Sequence, residues 1–240
     1  MIFYYVRHGD PIYEPDSLTE LGHKQAAALA KRFSLYGLDE IYASTSIRAQ
    51  QTAEPTCVAL NKEKTLLDWT NEGYAWWEFT VEKENGKREW VFCDQSYREK
   101  CNRPDVLALG NRWYEHPLFA DKPFKKGIER ISKEADDFFR SLGIEHDREM
   151  GCYRVIKPSE KERRVALFAH AGFGLAFLSC LLDVPYSYLM ARMDLSHTSV
   201  TVIHFDESQK NIYPRVLQWA NDSHLYKEGI LTGYNNGIKV

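Results

Sequence analysis

The sequence predicts an α/β fold with helices on both faces of one mostly parallel sheet. Three observations carry that prediction. Short apolar strands alternate with helical segments along the chain. Two of these strands, residues 2–6 and 164–169, lead into His8 and His170, each with a glycine close behind. A hydrophobic content of 44% with 27% charged residues supplies a core for one large domain or two small ones over 240 residues.

The elements follow in order. Residues 2–6 are apolar and aromatic with strong β preference, and they deliver Arg7, His8 and Gly9 to the rim of the sheet. Gly9 permits an unusual backbone angle or a close approach by a ligand. After a loop at 10–17 with two prolines, Thr19 caps a helix whose apolar face carries Leu21, Ala28, Leu29 and Phe33. Gly37 ends that helix, and residues 40–44 form a second strand. Ser46 then opens another helix as its N-cap, with Arg48 in the first turn beside free backbone N–H groups, a favourable place for an anion.

Residues 64–69 read as a short strand ending near Asp68, with Glu72 four residues on. The stretch 73–123 has no clear period and carries many aromatic residues, Trp76, Trp77 and Trp113 among them. It reads as a partly helical, cap-like insertion in a single domain spanning 1–240. Its rings either pack under a long loop or, with Lys87, Arg88, Arg98 and Arg103, discriminate between ligands. Residues 126–143 form an amphipathic helix stopped by Gly143. The strand at 164–170, an apolar helix through Leu182 and a short helix at 185–193 come next. Strands at 198–205 and 211–219 precede a polar segment, 221–240, that is expected to fold back over the site.

Composition excludes several roles. A net charge of −3 gives no support for binding nucleic acid or anionic membrane. No stretch approaches membrane-spanning length, and Arg7 and His8 interrupt the apolar start before it could serve as a signal peptide. Cys57, Cys93, Cys101, Cys152 and Cys180 are odd in number and lack a CxxC pair, which predicts reduced thiols, no zinc site and a cytoplasmic location.

Arg7, His8, Arg48 and His170 each stand at a strand end or a helix start. In a parallel sheet those ends share one edge, so two guanidiniums and two imidazoles converge there. Two arginines match the fork geometry of a multiply charged anion such as phosphate. A neutral imidazole beside them can attack phosphorus. The competing reading, four unrelated basic residues, leaves that shared placement unexplained. Among the other histidines, His23 and His146 are expected on the surface, His116 in a loop, and His197 at the border of the pocket.

The chain resembles the histidine phosphatase superfamily, also called phosphoglycerate mutase-like. The resemblance rests on Arg7-His8-Gly9, the segments 18–26 and 44–53, and 167–172 with its Ala169-His170-Ala171-Gly172 run. It implies a three-layer α/β/α sandwich with a mixed, mainly parallel six-stranded sheet. It implies a metal-independent phosphatase that hydrolyses phosphomonoesters through a phosphohistidine on His8. Arg7, Arg48 and His170 would hold the phosphoryl oxygens, with Gly9 and Ala171 also lining the substrate. A carboxylic acid must protonate the leaving oxygen, and the Leu66-Leu67-Asp68 step favours Asp68, with Glu72 as competitor. Glu14 stands where mutases and many small-molecule phosphatases carry Asn, and the 10–17 loop is shorter than theirs, which argues against mutase activity. A non-catalytic phospho-ligand module is the third alternative. No cofactor or metal is implied, and the partner is a small phosphomonoester or phosphate, with no nucleic acid, no membrane, and a homodimer left open.

Overall fold

The computed structural model describes residues 1–234 and 237–240; Asn235 and Asn236, within the segment expected to fold back over the site, lie outside the described residues. The chain divides into two compact units. The first comprises residues 1–71, 158–171 and 195–240, and the second residues 72–157 and 172–194.

The first unit holds a mixed six-stranded sheet. Its strands are β1 (Ile2–Arg7), β2 (Glu40–Ser44), β3 (Lys64–Leu67), β4 (Arg164–Ala169), β5 (Val200–His204) and β6 (Arg215–Asn221). They lie side by side in the order β6-β5-β1-β4-β2-β3. β1 runs parallel to β4, β4 to β2 and β2 to β3, whereas β5 is antiparallel to β1 and β6. Pairing of Arg7 with Ala169 and of Phe168 with Ala43 brings the ends of β1, β4 and β2 to one edge. Parallel register thereby gathers residues that are far apart in sequence.

The longer helices of this unit are α1 (Glu20–Phe33) and α2 (Ile47–Leu60). Thr19 caps α1 by accepting the Gly22 N–H, and buried Ala26, Leu29, Ala30 and Phe33 recur at helical spacing. Alternate residues Tyr4 and Val6 of β1 and Ala166 and Phe168 of β4 meet Leu29 and Phe33 of α1 and Ala53 and Cys57 of α2. Each large apolar side chain buried in this way contributes about 1.5–3 kcal/mol relative to exposure.

The second unit contains three principal helices, α3 (Glu72–Phe79), α4 (Phe124–Ser141) and α5 (Ala171–Leu182), the last entering from Ala171 of the first unit. Antiparallel hairpins pair Thr80–Glu82 with Arg88–Trp90 and Ile144–Asp147 with Cys152–Val155. Much of the aromatic stretch is core. Trp113 is buried and its ring centroid lies 5.2 Å from Phe124 and 5.6 Å from Tyr186. Trp90 packs so closely on Gly172 that a Cβ there would come within 2.4 Å of the ring. Trp77 instead is exposed, with the Arg88 guanidinium 5.0 Å above it. Among the described residues no helix is long and apolar enough to cross a membrane.

The side chain of His146, expected on the surface, is buried in an ionic cluster. Its Nδ1 lies 3.1 Å from Asp136 and its Nε2 2.8 Å from Asp183. Arg148 also bonds Asp136, and Tyr153 stacks on the imidazole at 4.0 Å. Sequence distance hid these partners. Burial lowers the His146 pKa, but the two carboxylate hydrogen bonds outweigh it and the net shift is upward from 6.5. A raised folded-state pKa means the stabilisation is complete below pH 6.5 and fades as pH rises through the folded value. His146→Gln is therefore expected to destabilise the protein by about 2 kcal/mol at pH 6 and by clearly less at pH 9. Denaturant melts of both proteins at the two pH values check this; equal losses at both would show that the cluster does not titrate.

Candidate active site

His8 follows the last residue of β1 and is buried. Its backbone N–H donates to Ala169 (2.9 Å), and its carbonyl accepts the Thr198 N–H (3.2 Å). The side-chain Nδ1 lies 2.7 Å from the Gly9 carbonyl, which can only accept. Nδ1 therefore carries the hydrogen, and Nε2 is left with an in-plane lone pair. Burial pushes the His8 pKa well below 6.5, helped by His170 and by the charges of Arg7 and Arg48. The ring is neutral and nucleophilic at pH 7.

Arg7 is buried at the end of β1, and its Nη1 donates to the Leu195 carbonyl. Arg48 stands in the first turn of α2, its Nη1 2.8 Å from Asp16 and its Nη2 3.2 Å from His170 Nδ1. Because guanidinium only donates, His170 Nδ1 accepts, and its Nε2–H faces the Ser44 hydroxyl at 2.9 Å, with Ser46 at 3.3 Å. Burial, followed by the Arg48 charge, lowers the His170 pKa well below 6.5. Tyr5 fixes the backbone of His170, donating its hydroxyl to the carbonyl at 2.6 Å and accepting the N–H at 3.2 Å.

Asp16 is the functional residue that sequence reasoning missed. Ser46 occupies the N-cap position of α2 but makes no capping bond with its side chain. Asp16 caps the helix instead, accepting the Ile47 N–H at 2.7 Å while its other oxygen pairs with Arg48. Its position in the proline-containing 10–17 loop was the available signal.

The remaining sequence-predicted residues fall as follows. Gly9 meets α1 rather than open space: a Cβ there would lie 2.8 Å from the Gly22 carbonyl oxygen. Ala171 is buried and is the first residue of α5. Asp68 is exposed and accepts the Thr45 hydroxyl at 3.1 Å. Glu72 belongs to the second unit, where it opens α3 and accepts the Gly172 N–H at 3.1 Å. His197 is buried with its ring centroid 6.1 Å from that of His8. The next residue, Thr198, holds a left-handed φ of 56°, costly for a β-branched side chain. Its Oγ1, donated to the His197 carbonyl, accepts from His224 at 3.1 Å.

The first unit thus presents a neutral imidazole with a free Nε2 lone pair in the field of two buried guanidiniums, with a second neutral imidazole 5.2 Å away. Such a group suits attack on an electrophile that carries negative charge.

Residues 3–110 match the family model of the histidine phosphatase superfamily (branch 1). No curated protein sequence matches the chain. Among solved structures, a mycobacterial hydrolase is 19% identical with a TM-score of 0.58, covering 92% of this chain and 98% of its own. A phosphoserine phosphatase from Entamoeba histolytica, in complex with 3-phosphoglyceric acid, is 17% identical with a TM-score of 0.58 and coverages of 93% and 98%. A mycobacterial glucosyl-3-phosphoglycerate phosphatase is 19% identical with a TM-score of 0.57 and coverages of 91% and 98%. At these identities the likeness establishes the fold, the phosphoglycerate mutase-like α/β class expected from the sequence. Through residues 3–110, the chain is similar to the histidine phosphatase superfamily, branch 1.

Proposed function

We propose that the protein is a metal-independent phosphatase that hydrolyses phosphomonoesters through a phosphohistidine on His8. The observation that carries this is the 2.7 Å contact between His8 Nδ1 and the Gly9 carbonyl, which leaves Nε2 as the nucleophile. Nε2 attacks phosphorus, the bond to the leaving oxygen breaks, and a carboxylic acid protonates that oxygen as it departs. Water then attacks the phosphohistidine, the carboxylate takes its proton, and phosphate leaves with His8 neutral again. Arg7 and Arg48 balance the phosphoryl charge throughout, the larger part of the catalytic effort in phosphoryl transfer. The family match and the two relatives named as phosphatases support this reading.

Quenching the reaction with labelled p-nitrophenyl phosphate in excess EDTA tests it. The expected product is an acid-labile, base-stable phosphoryl group on the peptide containing His8. A base-labile or cysteine-borne adduct, or loss of turnover on chelation, would overturn the mechanism.

For the acid we favour Glu72 over Asp68. Asp68 is exposed and already accepts the Thr45 hydroxyl. Glu72 is half-buried, and its partner Gly172 lies two residues beyond His170 in the chain. Glu72→Gln is expected to slow alkyl phosphate hydrolysis by about 10²–10³-fold and p-nitrophenyl phosphate far less, because a good leaving group departs without a proton. Asp68→Asn is expected to stay near wild type on both substrates. The reverse pattern would transfer the role to Asp68.

A further inference from the structure

Gly172 lies in the first turn of α5, where a helix leaves its backbone N–H groups without partners inside the helix. Its N–H is donated to Glu72 Oε1 at 3.1 Å, which ties the carboxyl group to the start of that helix. The bond makes Oε1 an acceptor, so the proton that Glu72 gives to a leaving oxygen sits on Oε2. A third residue keeps donor and acceptor in register. A hairpin follows α3 without a break: Thr80–Glu82 pairs with Arg88–Trp90 around a turn in which Gly86 holds a left-handed φ of 74°. Thr80 lies opposite Trp90, and the Val91 N–H donates to the Phe79 carbonyl at 3.1 Å, which returns the chain to α3. There the Trp90 indole covers Gly172 on the side a Cβ would take, so only glycine fits beneath it. The same indole meets Trp76 edge to face, with 5.2 Å between ring centroids and 83° between planes. Trp76 stands one helical turn after Glu72 and shares its face of α3. One ring thus braces both the helix that carries the acceptor and the helix start that supplies the donor.

We propose that Trp90 is a positioning residue for Glu72: packed on Gly172 and Trp76, it holds the Gly172 N–H on Glu72 Oε1 and so directs the Oε2 proton to the leaving oxygen. As the Oε2–H bond breaks, the alcohol O–H forms and Glu72 remains as carboxylate. The proposal rests on the reading of Glu72 as the acid, so the place of the carboxylate is read separately from the chemistry.

Crystal structures and steady-state rates of full-length Trp90→Ala and Trp90→Phe test it. In Trp90→Ala the Glu72 carboxylate is expected to leave the Gly172 N–H. Its kcat/KM on an alkyl phosphate should fall about 10–10²-fold, the cost of a misplaced group. On p-nitrophenyl phosphate it should stay within about threefold, because that leaving group needs no proton. Trp90→Phe, which keeps a ring over Gly172, should recover most of the alkyl phosphate rate. Gly172→Ala keeps the N–H and the indole but sets a methyl against the ring, and it should discriminate between the two substrates as Trp90→Ala does. Added to Glu72→Gln, Trp90→Ala should cost nothing further on the alkyl phosphate, since residues acting through one proton are not additive. Equal losses on both substrates in Trp90→Ala or Gly172→Ala, the mark of a tryptophan that only packs, would overturn the proposal. A carboxylate still bonded to the Gly172 N–H in Trp90→Ala would overturn it too. If the carboxylate moves but Glu72→Gln slows both substrates equally, the acid reading fails and the hold of Trp90 on Glu72 stands.

Discussion

Replacing His8 by alanine is expected to cut phosphomonoester turnover by about 10⁴-fold or more, because removing a covalent nucleophile disables the remaining machinery with it. The fold should persist. The imidazole makes one side-chain bond to a backbone carbonyl, and the strand-end pairing to Ala169 and Thr198 uses only the backbone of His8. Removing a buried neutral histidine also lifts a penalty that grows in acid. With its folded pKa well below 6.5, His8 resists protonation that the unfolded chain accepts, so it erodes stability as pH falls below 6.5. The variant should thus lose less stability than wild type between pH 7 and pH 5. Steady-state rates paired with melts at both pH values test this, and turnover within tenfold of wild type would remove His8 from the reaction.

The second large effect is expected at Arg48. Arg48→Ala should lower kcat/KM by about 10³-fold, the upper range for deleting one preorganised donor to transition-state charge. Arg48→Lys should still lose about 10²-fold, since an ammonium cannot reproduce the two-pronged contact with Asp16 and His170 Nδ1. Stability should fall little, as the Ile47 N–H keeps its Asp16 acceptor in both variants. An alanine variant within tenfold of wild type would exclude Arg48 from the phosphoryl site.

The parts of this site that were legible in the sequence are those set by short-range signals. A strand running into Arg7-His8-Gly9, a Thr19 cap three residues before Gly22, and a helix start placing Arg48 in its first turn are all local patterns. Parallel pairing of β1, β4 and β2 then converts three local facts into one edge. What stayed hidden depends on side chains meeting across the fold. Asp16 reaches Arg48 over a separation of 32 residues, and Asp183 reaches His146 over 37. No pattern along the chain encodes either meeting. The aromatic stretch was opaque for another reason: helices as short as Gln95–Cys101 and Pro104–Leu107 complete too few turns to display a period.

The close approach of Gly9 to Gly22 bears on how a mutational scan of this protein would read. A Cβ at Gly9 would lie 2.8 Å from the Gly22 carbonyl oxygen, and one at Gly22 would lie 2.3 Å from the Asp10 carbonyl oxygen. Every side chain other than hydrogen forces the backbones of α1 and the β1 turn apart. In an activity screen both positions would score as intolerant as His8, and one of them sits inside the Arg-His-Gly motif itself. A ranking by lost activity alone would enrol both glycines in the chemistry. Scoring soluble yield in the same library separates the two kinds of intolerance: the glycine variants should drop out of both measurements, and His8 variants only out of the first.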